Sequence, residues 1–273
     1  MIDAEAHLAH IRAQFGKQAE AYVRLRHTTD ERSLNGIVQL SGADGGSRVL
    51  DVACGPGFLT MAFAARCRSA VGLDATGPFL EMARAEAAQR GLRNLELRLG
   101  DAEQLPFPDA AFDIVACRAA VHHFARPERV LREMARVVAP YGRVVIADFL
   151  SSDDAAKAAY HNRLERLCDP THVRALSSPE FARLFATAGL TLRLQTAVTY
   201  DYELEEWMTH GGPDDATATE IRALMEASID TDRCGLNVRR EDGRIWFSHA
   251  AAAFVLASST APPPPGPGMP PPR

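Results

Sequence analysis

The sequence has 273 residues and a formal net charge of −5. That balance supplies no basic field for tracking phosphates and disfavours a nucleic-acid substrate, and a chain of this length buries about three quarters of its unfolded surface without disulfides or metals. The five cysteines (54, 67, 117, 168, 234) are odd in number and lack C-x-x-C spacing, which argues for a reducing, cytoplasmic setting and against a structural zinc site. The amino terminus lacks the apolar core of a signal peptide. The longest apolar run near the other end, residues 250–257, is too short to span a bilayer.

Residues 3–26 read as an amphipathic helix, with Leu8, Ile11, Phe15, Ala19 and Tyr22 on one stripe. A Gly/Asp loop at 41–46 leads into the short apolar run 49–53, the pattern of a strand buried on both faces. Gly55 and Gly57 break that run with a tight turn, and Leu59, Phe63 and Ala64 then offer a helical face. Strand, glycine turn and helix in this order open a nucleotide-binding βαβ unit. Asp74 closes the next apolar run, where a carboxylate can accept both ribose hydroxyls of an adenosine.

The alternation continues. A helix over 78–90 ends at Gly91, a third strand covers 95–99, and Gly100-Asp101-Ala102 follows it. The fourth strand, 112–117, leads into Cys117-Arg118 and then His122-His123. A helix over 127–138 starts on a proline, and Pro140-Tyr141-Gly142 turns into a fifth strand at 143–147. Residues 151–188 read as an insertion of two helices, the second with Ser178 as N-cap and Pro179 at its first position. A sixth strand fits 190–199, a helix 214–229 and a last strand 245–254. The proline run 262–273 can form neither helix nor ladder and reads as an extended, disordered tail.

Gly55-x-Gly57-x-x-Thr60 nearly spells the dinucleotide fingerprint, so a nicotinamide-dependent oxidoreductase is one reading. Asp51, just ahead of the turn, would repel a pyrophosphate but welcome a ligand carrying an ammonium and a sulfonium. With Leu50-Asp51-x-x-Cys54-Gly55-x-Gly57, Gly72-Leu73-Asp74, Gly100-Asp101-Ala102 and Phe112-Asp113-Ile114-Val115 in order, the chain resembles the class I S-adenosylmethionine-dependent methyltransferases. It is most similar to the ubiquinone/menaquinone-biosynthesis type. Asp169-Pro170-x-His172-Val173-Arg174-Ala175-Leu176 and Ser178-x-Glu180 add to that resemblance. The Tyr141 turn departs from the family's more usual Pro-Gly-Gly, with little consequence expected because Gly142 is kept.

The resemblance implies an α/β, Rossmann-like sheet of seven mostly parallel strands with helices on both faces. An amino-terminal helical lid spans 1–44, the cofactor-binding core 45–150 and a helical substrate insertion 151–188. The last strands and helix span 189–260, and the tail 261–273. The cofactor is S-adenosyl-L-methionine, with S-adenosyl-L-homocysteine as product. Asp51, Ala53, Cys54, Gly55 and Gly57 would surround its methionine end, Asp74 its ribose, and Ala75, Asp101 and Ala102 its adenine. The carbonyl of Cys117 or Arg118 would take the ammonium, and Phe15, Tyr22 and His27 would help close the site.

Methyl transfer depends mainly on in-line placement, with a base needed when a hydroxyl or an activated carbon must lose a proton. His122 and His123 are the candidates for that base, and the family more often uses the His123 position for binding and shaping. His161, His172 and Arg174 are candidates to line a substrate pocket. No metal is expected. The expected activity is O- or C-methylation of a small molecule of quinone or secondary-metabolite type by a monomer or homodimer with no membrane span. The alternatives are the oxidoreductase above and a protein of this fold that holds the cofactor without transferring methyl.

Overall fold

Strands buried on both faces need helices on both sides, and the alternation of side chains along each strand supplies the two faces. The computed structural model describes residues 3–22 and 30–258, so His27 and the proline tail lie outside the described residues. Strands β1 (Arg48–Val52), β2 (Ser69–Asp74), β3 (Leu95–Leu99), β4 (Phe112–Arg118) and β5 (Val138–Phe149) run parallel. Beyond β5 lie β8 (Arg244–Ser258), antiparallel to its neighbours, and the edge strand β6 (Leu190–Glu203); the short β7 (Arg239–Glu241) pairs with β8. The order is β3-β2-β1-β4-β5-β8-β6. This is the mostly parallel, Rossmann-like sheet expected, with β7 as one strand more than the seven anticipated.

Leu50, Val52, Val115, Val144 and Ile146 point to one face, under α5 (Pro127–Val137) and α7 (Ser178–Thr187). Val49, Ile114, Ala116 and Val145 point to the other, under α2 (Glu31–Ser41) and α3 (Phe58–Ala64). A third cluster joins α6 (Ala155–Cys168), α8 (Leu204–Gly211) and α9 (Asp215–Glu226) through Leu164, Trp207, Ile221 and Phe247. Helices α1 (Ala4–Tyr22) and α4 (Gly77–Gln89) pack together beside the strand ends. Strand order reverses between β1 and β4, and in open sheets the crevice at that reversal, beyond the carboxyl ends of the strands, is where ligands bind. No helix among the described residues is long and apolar enough to cross a membrane.

Local chemistry corrects several expected boundaries. The N-cap of α7 is Ser177, not Ser178, because Glu180 reaches back to accept from the Ser177 N–H at 2.9 Å and closes a capping box. Helix α8 was not anticipated; the Glu203 carboxylate caps it by accepting from Glu205 and Glu206 N–H. Strand β6 runs to Glu203 because its ladder with β8 continues to Trp246. Tyr141 adopts φ +67°, within a register shift between β4 and β5, and at Gly142 a Cβ would lie 2.7 Å from the Asp113 carbonyl. Glycine is required at 142, and the strained residue is Tyr141.

Candidate functional site

The turn after β1 is built from left-handed residues: Ala53 at φ +55°, Gly55 at +53° and Gly57 at +77°. A non-glycine residue in that region stores strain of the kind found at ligand sites. Gly57 is needed for packing, since a Cβ there would sit 2.9 Å from Cβ of Ala83 on α4. Gly57→Ala is expected to destabilise the chain by about 2–4 kcal/mol, from the left-handed backbone plus the overlap. An unchanged Tm would show that the turn relaxes freely. Gly55 is different, because a Cβ there meets nothing within 4 Å and would enter an adjoining cavity.

That cavity has a volume of about 360 Å³ and lies across the carboxyl ends of β1, β2 and β4. It brings together Ala53, Gly55, Asp74, Ala75, Asp101, Ala102, His123 and Phe15, eight of the residues expected from the sequence. Asp74 fixes the floor: its carboxylate accepts from Gly55 N–H at 2.7 Å and Thr76 N–H at 2.8 Å. Burial raises its pKa, against those two bonds. Asp101 accepts from Glu103 N–H at 2.8 Å, which turns the chain so that 100–104 line the wall. Helix α1 covers the opening. Arg12 donates to the Ala75 carbonyl at 3.2 Å, His7 donates to the His123 carbonyl at 2.8 Å, and Phe15 meets the His123 ring edge-on at 5.2 Å.

Asp51, Cys54, Gly57, Cys117 and Arg118 do not line this cavity. Asp51 is buried behind the turn, where it accepts from the Thr60 hydroxyl at 2.6 Å and burial pushes it up to about 7. Burial also pushes the Cys54 and Cys117 thiols up, and none of the five cysteines, all among the described residues, forms a disulfide. Gly57 packs on α4, and Arg118 lines a separate groove. The Tyr22 side chain lies outside the described residues.

Behind His123 is a second, smaller chamber of about 50 Å³, which shares Phe15, Ala119 and His123 with the first. His122, His161 and His172 line it, but Arg174 does not; it projects outward and pairs with Glu180. His122 and His123 sit on the 3₁₀ turn Val121–His123 after β4 and do different things. His122 donates through Nδ1 to Asp148 Oδ1 at 2.6 Å, and the other Asp148 oxygen accepts from Val121 N–H at 2.7 Å. One carboxylate thus holds both the turn and the imidazole. Burial pulls His122 down, but the charge and hydrogen bond of Asp148 outweigh it and leave its pKa raised. His123 donates through Nδ1 to the Thr171 carbonyl at 3.1 Å, and burial, reinforced by the neighbouring His122 charge, lowers it to about 4.

Sequence reasoning missed Asp148, Phe149 and His249. Asp148 had a signal: like Asp74, it is an acid that ends an apolar strand on the ligand-binding side of the sheet.

Acid should loosen this chamber. His123 and His172 are both held neutral by burial, and His172 also donates to Asn162 at 2.8 Å. Unfolded, each takes a proton near pH 6.5. Their stabilising contribution is present above that value and is lost as pH falls toward about 4, where His123 titrates in the fold. His249, which burial also lowers, adds to this effect, while His122, with a raised pKa, contributes in the opposite sense. Hydrogen-exchange protection of the backbone amides around His123 and His172 should therefore fall between pH 6.5 and 4. A flat profile would mean that these rings meet water.

Comparison with known proteins agrees with the geometry. A methyltransferase-domain family matches residues 50–146. The uncharacterized methyltransferase YcgJ of Bacillus subtilis (strain 168) is 33% identical over 215 residues, covering 78% of this chain and 85% of its own. The YcgJ crystal structure superposes with a TM-score of 0.79 at 29% identity, covering 83% of this chain and 98% of that one. The ubiquinone/menaquinone biosynthesis C-methyltransferase UbiE of Azotobacter vinelandii (strain DJ) is 34% identical over 43% of this chain and 48% of its own. Fold, crevice and similarity over most of a relative's length agree, and the chain belongs to the class I S-adenosylmethionine-dependent methyltransferases.

Proposed function

We propose that the cavity across the carboxyl ends of β1, β2 and β4 holds S-adenosylmethionine and that the chamber behind His123 receives the reacting end of a small molecule, methylated on oxygen or carbon. The cavity suits the cofactor. The open space at Gly55 admits a ligand against the turn, and the Asp74 carboxylate retains lone pairs for two ribose hydroxyls. Asp101 and Ala102 line the adenine end, and the cationic end of the cofactor would draw Asp51, pushed up to about 7 by burial, toward its charged form behind the turn. When bound, the cofactor supplies an electrophilic methyl group whose transfer leaves a neutral thioether.

The observation that carries the acceptor reading is the His122–Asp148 pair at 2.6 Å, whose imidazole stands on the wall of the chamber next to the cofactor cavity. With Nδ1–H committed to Asp148, neutral His122 has its Nε2 lone pair left to remove a proton from a hydroxyl or an activated carbon. Asp148 then balances the imidazolium that forms. His123 stays neutral and separates the two spaces as a shaped wall. A groove of about 390 Å³ between α2 and strands β6 and β8 shares Ala119, Phe149 and Tyr202 with the chamber. Ile37, Leu40, Val198 and Ala251–Ala253 make it mainly apolar, which suits an acceptor with a hydrophobic body such as a quinone or a secondary metabolite.

The test is incubation of the full chain with methyl-labelled S-adenosylmethionine and a fractionated small-molecule extract. The expected result is label in an apolar product bearing one new O- or C-methyl group. Cofactor that binds but is never consumed would overturn the reading in favour of a binding or rearranging protein.

A further inference from the structure

Three buried side chains meet on the chamber wall, and the base chemistry above uses none of them. His161 and Glu165 stand four residues apart on α6, which puts them on one helix face. His249 reaches the same point from β8. Nε2 of His249 lies 2.9 Å from Glu165 Oε1, Nε2 of His161 lies 3.3 Å from that oxygen, and the two nitrogens are 3.1 Å apart. Each residue is at least nine-tenths buried.

Two ring nitrogens at that separation cannot both carry a hydrogen aimed at the other. Nδ1 of each ring is also buried and has no hydrogen-bond partner among the described residues, so neither ring is held by its other end. The result is two imidazoles and a carboxylate that aim their ligand atoms at one point. Such a set is stabilised by a positive centre, either a shared proton or a cation. Ligand atoms around a tetrahedral ion bound at about 2.0–2.2 Å stand roughly 3.3–3.6 Å apart, so the three atoms here need to spread by only a few tenths of an ångström to receive one. Two nitrogens and one oxygen are a donor set for zinc and its neighbours, whereas calcium and magnesium take oxygen ligands.

We propose that His161, Glu165 and His249 form a binding site for a divalent transition-metal ion of zinc type. All three border the chamber, so the coordination position left over faces the place assigned to the acceptor. An acceptor oxygen would fill it, which narrows the substrate to one carrying a hydroxyl or carbonyl beside the methylated atom; this narrowing rests on the function proposed above, and the metal site does not. The sequence-based expectation of no metal relied on cysteine spacing, and a His/Glu/His set divided between a helix and a distant strand leaves no such signature.

The test needs neither cofactor nor acceptor. The full chain is stripped with a chelator and titrated with zinc chloride and, separately, cobalt chloride. One equivalent of each should bind, cobalt should give the visible absorption of a low-coordinate nitrogen/oxygen site, and zinc should raise Tm. Glu165→Gln and His249→Gln should each weaken cobalt binding more than about tenfold, while His10→Ala on the surface leaves it unchanged. Absence of stoichiometric binding by the unsubstituted chain overturns the proposal whatever the variants do. Binding indifferent to both substitutions also overturns it and leaves the cluster as a proton-sharing network. A chain that binds metal here but transfers no methyl would instead overturn the functional reading.

Discussion

Replacement of His122 by Gln is expected to lower turnover about a hundredfold to ten-thousandfold, with cofactor affinity close to that of the unsubstituted chain. The loss is in proton transfer, because the ring lines the acceptor chamber and not the cofactor cavity. The rate–pH profile gives the sharper test. His122 must be neutral to accept a proton, and Asp148 holds its pKa above the ordinary value of about 6.5. Turnover in the parent should therefore rise with pH through a limb centred above 6.5, and His122→Gln should abolish that limb. Asp148→Asn should move the limb down, since an amide cannot stabilise the imidazolium, and should lower turnover as the turn at Val121 loosens. His123→Ala should act otherwise. With that ring neutral above about pH 4, its loss should weaken cofactor binding and lower turnover modestly at every pH. An acidic limb that persists in His122→Gln would place the base elsewhere. Normal cofactor affinity and a vanished limb in His123→Ala would exchange the two assignments.

The parts of this site that could be read from the sequence are those carried by one short stretch. The run 49–60, Asp74 and Asp101 each follow or end an apolar strand, and the family motif repeats that local pattern; the structure gathers Gly55, Asp74 and Asp101 around one cavity. What was not legible depends on sheet order. Asp148 meets His122 because β4 and β5 are neighbours, a pairing across 26 residues that no spacing rule announces. His249 begins an alanine-rich run that reads as core, and its partners lie on α6, more than eighty residues earlier. Arg174 shows the opposite failure. In sequence it stands beside His172 and shares its motif, yet Glu180, six residues on, draws the guanidinium outward while the imidazole turns in to Asn162. Asp51 was read as facing the ligand because it precedes the turn, but the alternation of β1 sets it against Thr60.

Asp74→Ala is expected to weaken S-adenosylmethionine binding about tenfold to a hundredfold or somewhat more, because two ribose hydroxyls lose a charged acceptor worth about 1.5–3 kcal/mol. This substitution does a second thing. The same carboxylate accepts from Gly55 and Thr76 N–H, so alanine leaves two backbone donors of the turn without their partner and should lower Tm as well. Asp74→Asn separates the effects. Its remaining carbonyl oxygen still accepts, but the second oxygen is replaced by an amide donor facing a donor, so only one of the two backbone bonds survives. Stability should fall by less than in the alanine variant, while affinity should still fall at least tenfold, since the charge is gone and one hydroxyl meets a donor. Calorimetric titration of the cofactor into both variants, with Tm recorded for each, measures the two losses independently. A dissociation constant unchanged in both would remove Asp74 from the ribose site and confine the carboxylate to bracing the turn.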